Sequence, residues 1–337
     1  LLDRRQFLAS TYGAAFFAER RIVSRDPLEA ETDLARDVNR YTPVDDFFVR
    51  NHLDEPDEMA NATLRIEGEL ERPGTIDAGM LGNLPRVSVG AVLECAGNRV
   101  ETNALASNGL WEGWSVRDVL RPSGVKPSAS WLWLYGRDGF VRSVPMTRAF
   151  ACGLLATHLN GSALPQDHGK PWRAVFPGWY GMDSVKWLER IVAASHPLNA
   201  TDPSYRTARI SSSGQLVRED LPAIQPKSVI TYPAKGQTLA IGSSVIRGLA
   251  WAGATDIAAV EVSCNGGEDW TNAQVGPRHQ REWVRWEATL SFRQPGVAEV
   301  VCRAVGEDGT VQPARRDAGR RDGYANNWWH RVHCVVR

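Results

Sequence analysis

The chain is predicted to be an α+β protein in which a mixed α/β unit precedes an all-β sandwich of immunoglobulin type. Three observations predict this. Residues 40–222 mix short strand-like and helical runs without a regular strand–helix alternation. Across 219–228 two prolines, Pro222 and Pro226, interrupt the periodicity as an interdomain linker does. Beyond them apolar and polar residues alternate with period two, the mark of half-buried antiparallel strands. A length of 337 residues with 43% hydrophobic and 23% charged side chains exceeds what one domain usually needs. The expected division is an N-terminal segment over 1–39, a first domain over 40–222 and a second over 226–337.

At the N-terminus, Arg4-Arg5-Gln6-Phe7-Leu8 and the apolar stretch 12–18 resemble a twin-arginine export signal, with an ordinary amphipathic helix as the alternative. Export would place the protein in the periplasm; otherwise it is cytoplasmic. No apolar run approaches the roughly 20 residues that span a bilayer. In the first domain, 62–67 and 131–135 read as strands, 115–120 as a short helix and 87–93 as a buried strand. No G-x-G-x-x-G opens a helix, and the G-x-S-x-G and P-loop patterns are absent, so a Rossmann, hydrolase-elbow or P-loop site has no support. In the second domain, Val260, Val262 and Cys264 alternate with Glu261 and Ser263 before the turn residues Asn265-Gly266-Gly267. Trp286, Ala288, Leu290 and Phe292 alternate with Glu287, Thr289 and Ser291, and further strands are expected at 244–251, 297–305 and 329–336.

Lys plus Arg and Asp plus Glu balance at 39 each, which gives no reason to expect a nucleic-acid or membrane-surface partner. Thirteen tryptophans favour packed β-structure or a cofactor cleft. The five cysteines, at 95, 152, 264, 302 and 334, form no C-x-x-C pair and suggest neither a zinc site nor a disulfide framework. Cys152, Cys264, Cys302 and Cys334 read as small buried hydrophobes.

Four segments carry chemistry. Glu94-Cys95-Ala96-Gly97-Asn98-Arg99 follows the buried strand, so Cys95 stands where a turn begins; a thiolate there is a soft ligand for a transition metal, and a neighbouring arginine helps to keep it ionised. Alone, the hexapeptide fits a structural cysteine equally well. Arg50-Asn51-His52, after Phe47-Phe48-Val49, sets a fixed cation beside an imidazole, a pair suited to phosphate or an oxyanion. Residues 164–173 bring His168 and Arg173, and residues 176–188 bring Gly181, Ser184, Val185 and Lys186, with glycines that let backbone amides approach an anion.

Together, in this order, the four segments resemble the molybdenum domain of the sulfite oxidase family, and the resemblance extends over residues 40–337. It implies a sulfite-oxidase-type molybdopterin-binding domain followed by the family's dimerisation domain, hence a homodimer. It implies a molybdenum–molybdopterin cofactor, with Cys95 as the protein ligand to the metal. His52 is then expected at the pterin phosphate, Arg50 at the substrate pocket, and Asn51, His168, Arg173, Gly181, Ser184, Val185 and Lys186 around the cofactor. Tyr205 is the counterpart of a tyrosine that assists proton-coupled electron flow. The implied reaction is oxygen-atom transfer, sulfite to sulfate, with electrons returned singly to an acceptor. No C-x-x-C-H attaches a c-type haem and the segment before residue 40 is short for a haem domain, so an external acceptor is expected, a cytochrome c or oxygen.

Two positions depart from the family pattern: Val100 stands where sulfite-oxidising members carry a second arginine, and Asp322 where another pocket arginine is expected. A carboxylate there would repel sulfite unless Arg206, Arg209 or Arg321 reaches in. At about 1.5–3 kcal/mol per hydrogen bond to a charged group, two lost contacts weaken binding by several orders of magnitude. Three alternatives therefore stay open: a relative acting on another small oxyanion or an S- or N-oxide, a molybdopterin-binding protein with little turnover, and a hydrolase using Cys95 with His52 or His168.

Overall fold

The computed structural model describes residues 20–36, 40–58, 62–198 and 204–337. The Arg4-Arg5 segment lies outside them. The first part of the chain builds on two five-stranded sheets. One runs Ser162–Ala163, Leu154–Leu159, Ala106–Ser115, Val87–Glu94, with Arg173–Val175 also on Leu154–Leu159. The other runs Gly74–Asp77, Thr63–Gly68, Leu188–Ala194, Trp131–Gly136, Val141–Pro145, and its only parallel pair is Thr63–Gly68 with Leu188–Ala194. The expected short helix is Val116–Leu120, started by Ser115, whose Oγ accepts from the Asp118 N–H at 3.0 Å. Leu64, Leu132, Leu134, Ile191, Trp114 and Trp172 fill the core between these elements.

From residue 227 onward the fold is a two-sheet sandwich of immunoglobulin type. One sheet runs Lys227–Tyr232, Gly242–Trp251, Val284–Phe292, Gln274–Val275; the other runs Thr238–Leu239, His330–Val336, Gly296–Gly306, Ile257–Ser263, Thr271–Asn272. Strand Val284–Phe292 alternates buried and exposed at every residue, as its sequence predicts. The turn after Ile257–Ser263 is longer than a two-residue hairpin: Gly266 and Gly267 take the left-handed conformation inside a loop that returns only at Thr271. Cys302 and Cys334 are buried in this core, but Cys264 and Cys152 are only partly buried: Cys152 ends its helix and Cys264 lies one residue past the end of its strand, where packing ends. Among the described residues no helix is long and apolar enough to cross a membrane.

The linker differs from expectation. Residues 219–220 end a strand, Leu216–Asp220, and 227–228 begin one, Lys227–Tyr232; between them Leu221 and Ile224 are buried. The Ile224 N–H donates to the Gly178 carbonyl at 3.0 Å and its own carbonyl accepts from Gly253 at 2.8 Å. The connection is packed because its apolar residues meet both units at once, forming a shared core of Val92, Ala106, Tyr180, Leu249 and Trp251. Within that join, buried Glu94 accepts from Lys227 Nζ at 2.9 Å, Trp251 Nε1 at 2.8 Å and Asn98 Nδ2 at 3.0 Å.

Candidate active site

Strand Val87–Glu94 pairs along its length with Ala106–Ser115, and the chain between them makes the turn that carries Cys95. The Cys95 N–H donates to Leu105 O at 2.9 Å, and the Asn98 N–H returns to Cys95 O at 3.0 Å. Asn98 explains its own place in the motif: Nδ2 donates to the Asn103 carbonyl and to Glu94, and Oδ1 accepts from the Leu105 N–H, so one side chain closes the loop. The C-terminal stretch clamps it from outside, with Ala325 N–H on Ala96 O at 2.8 Å and Asn326 Nδ2 on Asn98 O at 3.0 Å.

Burial pushes the Cys95 thiol above its usual range; the Gly97 N–H and the Arg50 charge oppose this, and Glu94 and Glu29 reinforce it. The arginine that favours the thiolate is thus Arg50, not Arg99 of the motif itself. Arg99 turns to Glu29 and Glu31, and a bound metal cation is what would hold a thiolate at this half-buried position.

One cavity collects the sequence-predicted residues. Arg50, His52, Cys95, His168, Arg173, Gly181, Ser184, Val185, Lys186 and Tyr205 all line it. Asn51 joins through its side chain, Oδ1 accepting from Lys186 Nζ. At the basic end His168 and Arg173 are buried and Lys186 is half-buried: Lys186 Nζ also donates to Asp167 O at 2.9 Å and Arg173 Nη1 to His168 O at 3.1 Å. Desolvation is the largest cause that lowers Lys186 to about 7 and His168 to about 3; the Arg173 charge adds to both and Asp167 opposes both, while desolvation lowers Arg173 to about 9 against the same Asp167. Asn51 Nδ2, His168 Nε2 and Arg173 Nε are buried polar atoms without a hydrogen-bond partner in the protein. The buried Arg173 guanidinium, the half-buried Lys186 ammonium and the unmatched nitrogens cost free energy unless an anion satisfies them, so these residues fit a phosphorylated cofactor.

A stability prediction follows from the signs. Lys186 is held far below its unfolded pKa, so in the cofactor-free protein its contribution is whole above about pH 10.5 and is lost as pH falls toward 7; His168 behaves likewise from about 6.5 down to 3. Thermal unfolding of cofactor-free protein is expected to drop by several degrees from pH 9 to pH 6, and inorganic phosphate is expected to restore more of the loss at pH 6 than at pH 9. A midpoint independent of pH and phosphate would contradict the cradle.

At the other end, Tyr205 sits at φ 55°, an uncommon conformation for a bulky residue. Its hydroxyl lies 3.2 Å from His52 Nδ1, and burial, with the nearby Cys95 and Tyr324, pushes its pKa up to about 12. His52 thus stands beside the tyrosine as well as on the cavity wall. The expectation about Asp322 is corrected. Its carboxylate does not line the cavity; it accepts from Arg320 at 2.7 and 2.6 Å and from the Ala208 and Tyr324 N–H groups at 2.8 and 2.9 Å. Burial opposes its charge, yet these donors hold it well below the usual carboxylate range. Nor does a substitute arginine reach in: Arg206 pairs with Asp220, Arg209 with Asp317, and Arg321 donates to the Ala318 carbonyl. The sequence reading missed Glu29, Asp138 and Tyr324, which also line the cavity. Glu29 lies in the stretch set apart before residue 40, and no local pattern marks it, because only the pairing of Leu28–Glu31 with Val49–Arg50 carries it to the site.

Known families and proteins match most of the chain. The family described as "Oxidoreductase molybdopterin binding domain" matches residues 52–201, and the "Mo-co oxidoreductase dimerisation domain" matches residues 219–337. Sulfite oxidase from Gallus gallus is 30% identical over 352 residues, covering 92% of this chain and 77% of that one. Mitochondrial sulfite oxidase from Rattus norvegicus is 32% identical over 362 residues, covering 94% of this chain and 65% of that one, so this chain spans just under two thirds of the rat protein. Among solved structures, the sulfane dehydrogenase SoxCD from Paracoccus pantotrophus superimposes with a TM-score of 0.85 at 28% identity, covering 97% of this chain and 94% of that one. Fold and matches together define a molybdopterin-dependent oxidoreductase. Within that class, the chain belongs to the sulfite oxidase family.

Proposed function

We propose that this protein oxidises sulfite to sulfate by oxygen-atom transfer and passes the electrons singly to an external acceptor, a cytochrome c or oxygen. The observation that carries the reading is the convergence, in one cavity, of the strand-end thiol Cys95, a buried basic cradle and the Arg50–Tyr205 end. Cys95 would be the protein's ligand to molybdenum. His168, Arg173, Lys186 and Asn51 would hold the pterin and its phosphate, with Gly181, Ser184 and Val185 forming the wall. When bound, the cofactor supplies the oxygen atom and takes up two electrons; sulfite and water become sulfate, two protons and two electrons.

The chain's own residues do the rest. Arg50 orients the oxyanion, as a guanidinium fork suits its oxygens. Tyr205 stays protonated at neutral pH and so presents an O–H to the reacting end, with His52 Nδ1 at hydrogen-bond distance to orient it. We place the catalytic unit at 40–222 and the dimerising unit at 226–337, with a homodimer as the working form and the periplasm as its location if the Arg4-Arg5 segment directs export.

A second reading, oxidation of another small sulfur compound, is favoured by Val100 in place of a second arginine and by the likeness to a sulfane dehydrogenase. The test is metal analysis of protein from a molybdenum-replete host, followed by sulfite addition while the visible thiolate-to-metal band is watched. Stoichiometric molybdenum and a bleached band that returns on mixing with cytochrome c or oxygen are expected. Molybdenum with no sulfite response would move the reading to the second substrate class, and absence of molybdenum would overturn both.

A further inference from the structure

Strand Leu28–Glu31 lies antiparallel to Val49–Arg50, with Glu29 directly opposite Arg50. The register is fixed from both sides. The Asn51 N–H donates to Leu28 O at 3.0 Å, and just beyond the strand Thr32 bonds Ala104 O through its N–H, with its hydroxyl on that of Ser107. This arrangement holds the Glu29 carboxylate, nine-tenths buried, between two guanidiniums: Arg50 Nε at 3.1 Å from one oxygen and Arg99 Nη2 against the other. Arg99 is occupied a second time, its Nη1 3.0 Å from buried Glu31, which also accepts from Thr102 at 2.9 Å. Arg50 and Arg99 both line the cavity that holds Cys95, and Glu29 lines it with them.

Two cations at an oxyanion pocket would ordinarily set it for a dianion. Here two buried carboxylates face those two cations, and fixed partners cannot move away when a second negative charge arrives. We propose that Glu29 is a specificity-determining residue, pairing Arg50 and Arg99 so that the pocket takes a singly charged oxyanion, such as hydrogen sulfite, and discriminates against dianions. This rests on the reading of the cavity as the substrate site, and it names the charge state that site accepts.

The test is calorimetric titration of the molybdenum-loaded protein with nitrate and with sulfate at matched ionic strength. With the cofactor in place the basic cradle is filled, so the anions report on the Arg50–Arg99 end. Wild-type protein is expected to bind nitrate more tightly than sulfate. In Glu29→Gln, sulfate affinity is expected to rise about 10-fold or more, the scale of one charged hydrogen-bonded contact, while nitrate changes less than about threefold. Glu31→Gln, which frees one side of Arg99 from a residue outside the cavity wall, is expected to give a smaller gain in the same direction. Tighter binding of sulfate than nitrate by the wild type overturns the proposal without any variant; so does unchanged or weaker sulfate binding in a folded, metal-loaded Glu29→Gln, including the case where neither anion binds either protein. Failure of sulfite to bleach the metal band would overturn the sulfite assignment alone, since anion selectivity is read here without turnover.

Discussion

Cys95→Ser is expected to reduce turnover by more than about 100-fold while leaving the thermal midpoint of the cofactor-free protein within a few degrees of wild type. Loss of a partner outside a metal's ligand set commonly costs about 10–100-fold, and loss of the thiolate proposed as the metal's ligand should exceed that. The fold has little stake in the sulfur: the turn is held by backbone bonds of Cys95 and by the Asn98 side chain, neither of which involves Sγ. The same variant should lose the thiolate-to-metal band yet keep pterin fluorescence after denaturation, because the cradle of His168, Arg173 and Lys186 is intact. Full activity in Cys95→Ser would mean that the metal, if present, is held elsewhere; loss of pterin along with activity would mean that the cradle is not what holds it.

Lys227→Met should be the most destabilising single change at the junction of the two units. Lys227 and Glu94 are 2% and 3% exposed, and removal of the lysine leaves a carboxylate in the interior with only Trp251 and Asn98 as donors. Breaking a buried pair in this way costs about 3–5 kcal/mol, which at this chain length corresponds to roughly 4–7 °C in the unfolding midpoint. Adding Glu94→Gln to Lys227→Met is expected to recover more than half of the loss, since an uncharged amide no longer needs a counter-ion and can still accept from Trp251. Because Glu94 adjoins Cys95, the single variant should also shift the thiolate-to-metal band, and the double variant should bring it part of the way back. A double variant no more stable than Lys227→Met would show that the lysine acts by packing against Trp251, whose ring lies 5.7 Å from its ammonium, and not as a counter-ion.

Glu94 illustrates what the two sources of information contribute. Its sequence neighbours mark it as the last residue of a buried strand, and the motif that follows marks the turn; both are properties of a window of a dozen residues. That its charge is matched by a lysine 133 residues later is not written in any window. Asp322 makes the same point in reverse. Read by position it is a carboxylate where a pocket cation is expected, but Arg320, two residues away, folds back onto it and the backbone at Ala208 and Tyr324 donates to it, so the side chain organises a loop and leaves the pocket unburdened.

The period-two strands of the sandwich, the position of Cys95 at a strand end and the set of basic residues that share one cavity are all legible in the chain's local patterns. Those features are local: strand alternation and turn chemistry depend on neighbours in the chain, and Cys95, Arg50 and the His168–Lys186 segments each carry their residue types within a short motif. The charge of the pocket, by contrast, is set by the three-dimensional fold. It pairs Glu29 with Arg50 and Arg99 across 21 and 70 residues, gives Tyr205 to His52 across 153, and leaves Arg206, Arg209 and Arg321 outside. Electrostatic partners are chosen by distance in space and by burial, and both are fixed only when the strands have found their neighbours.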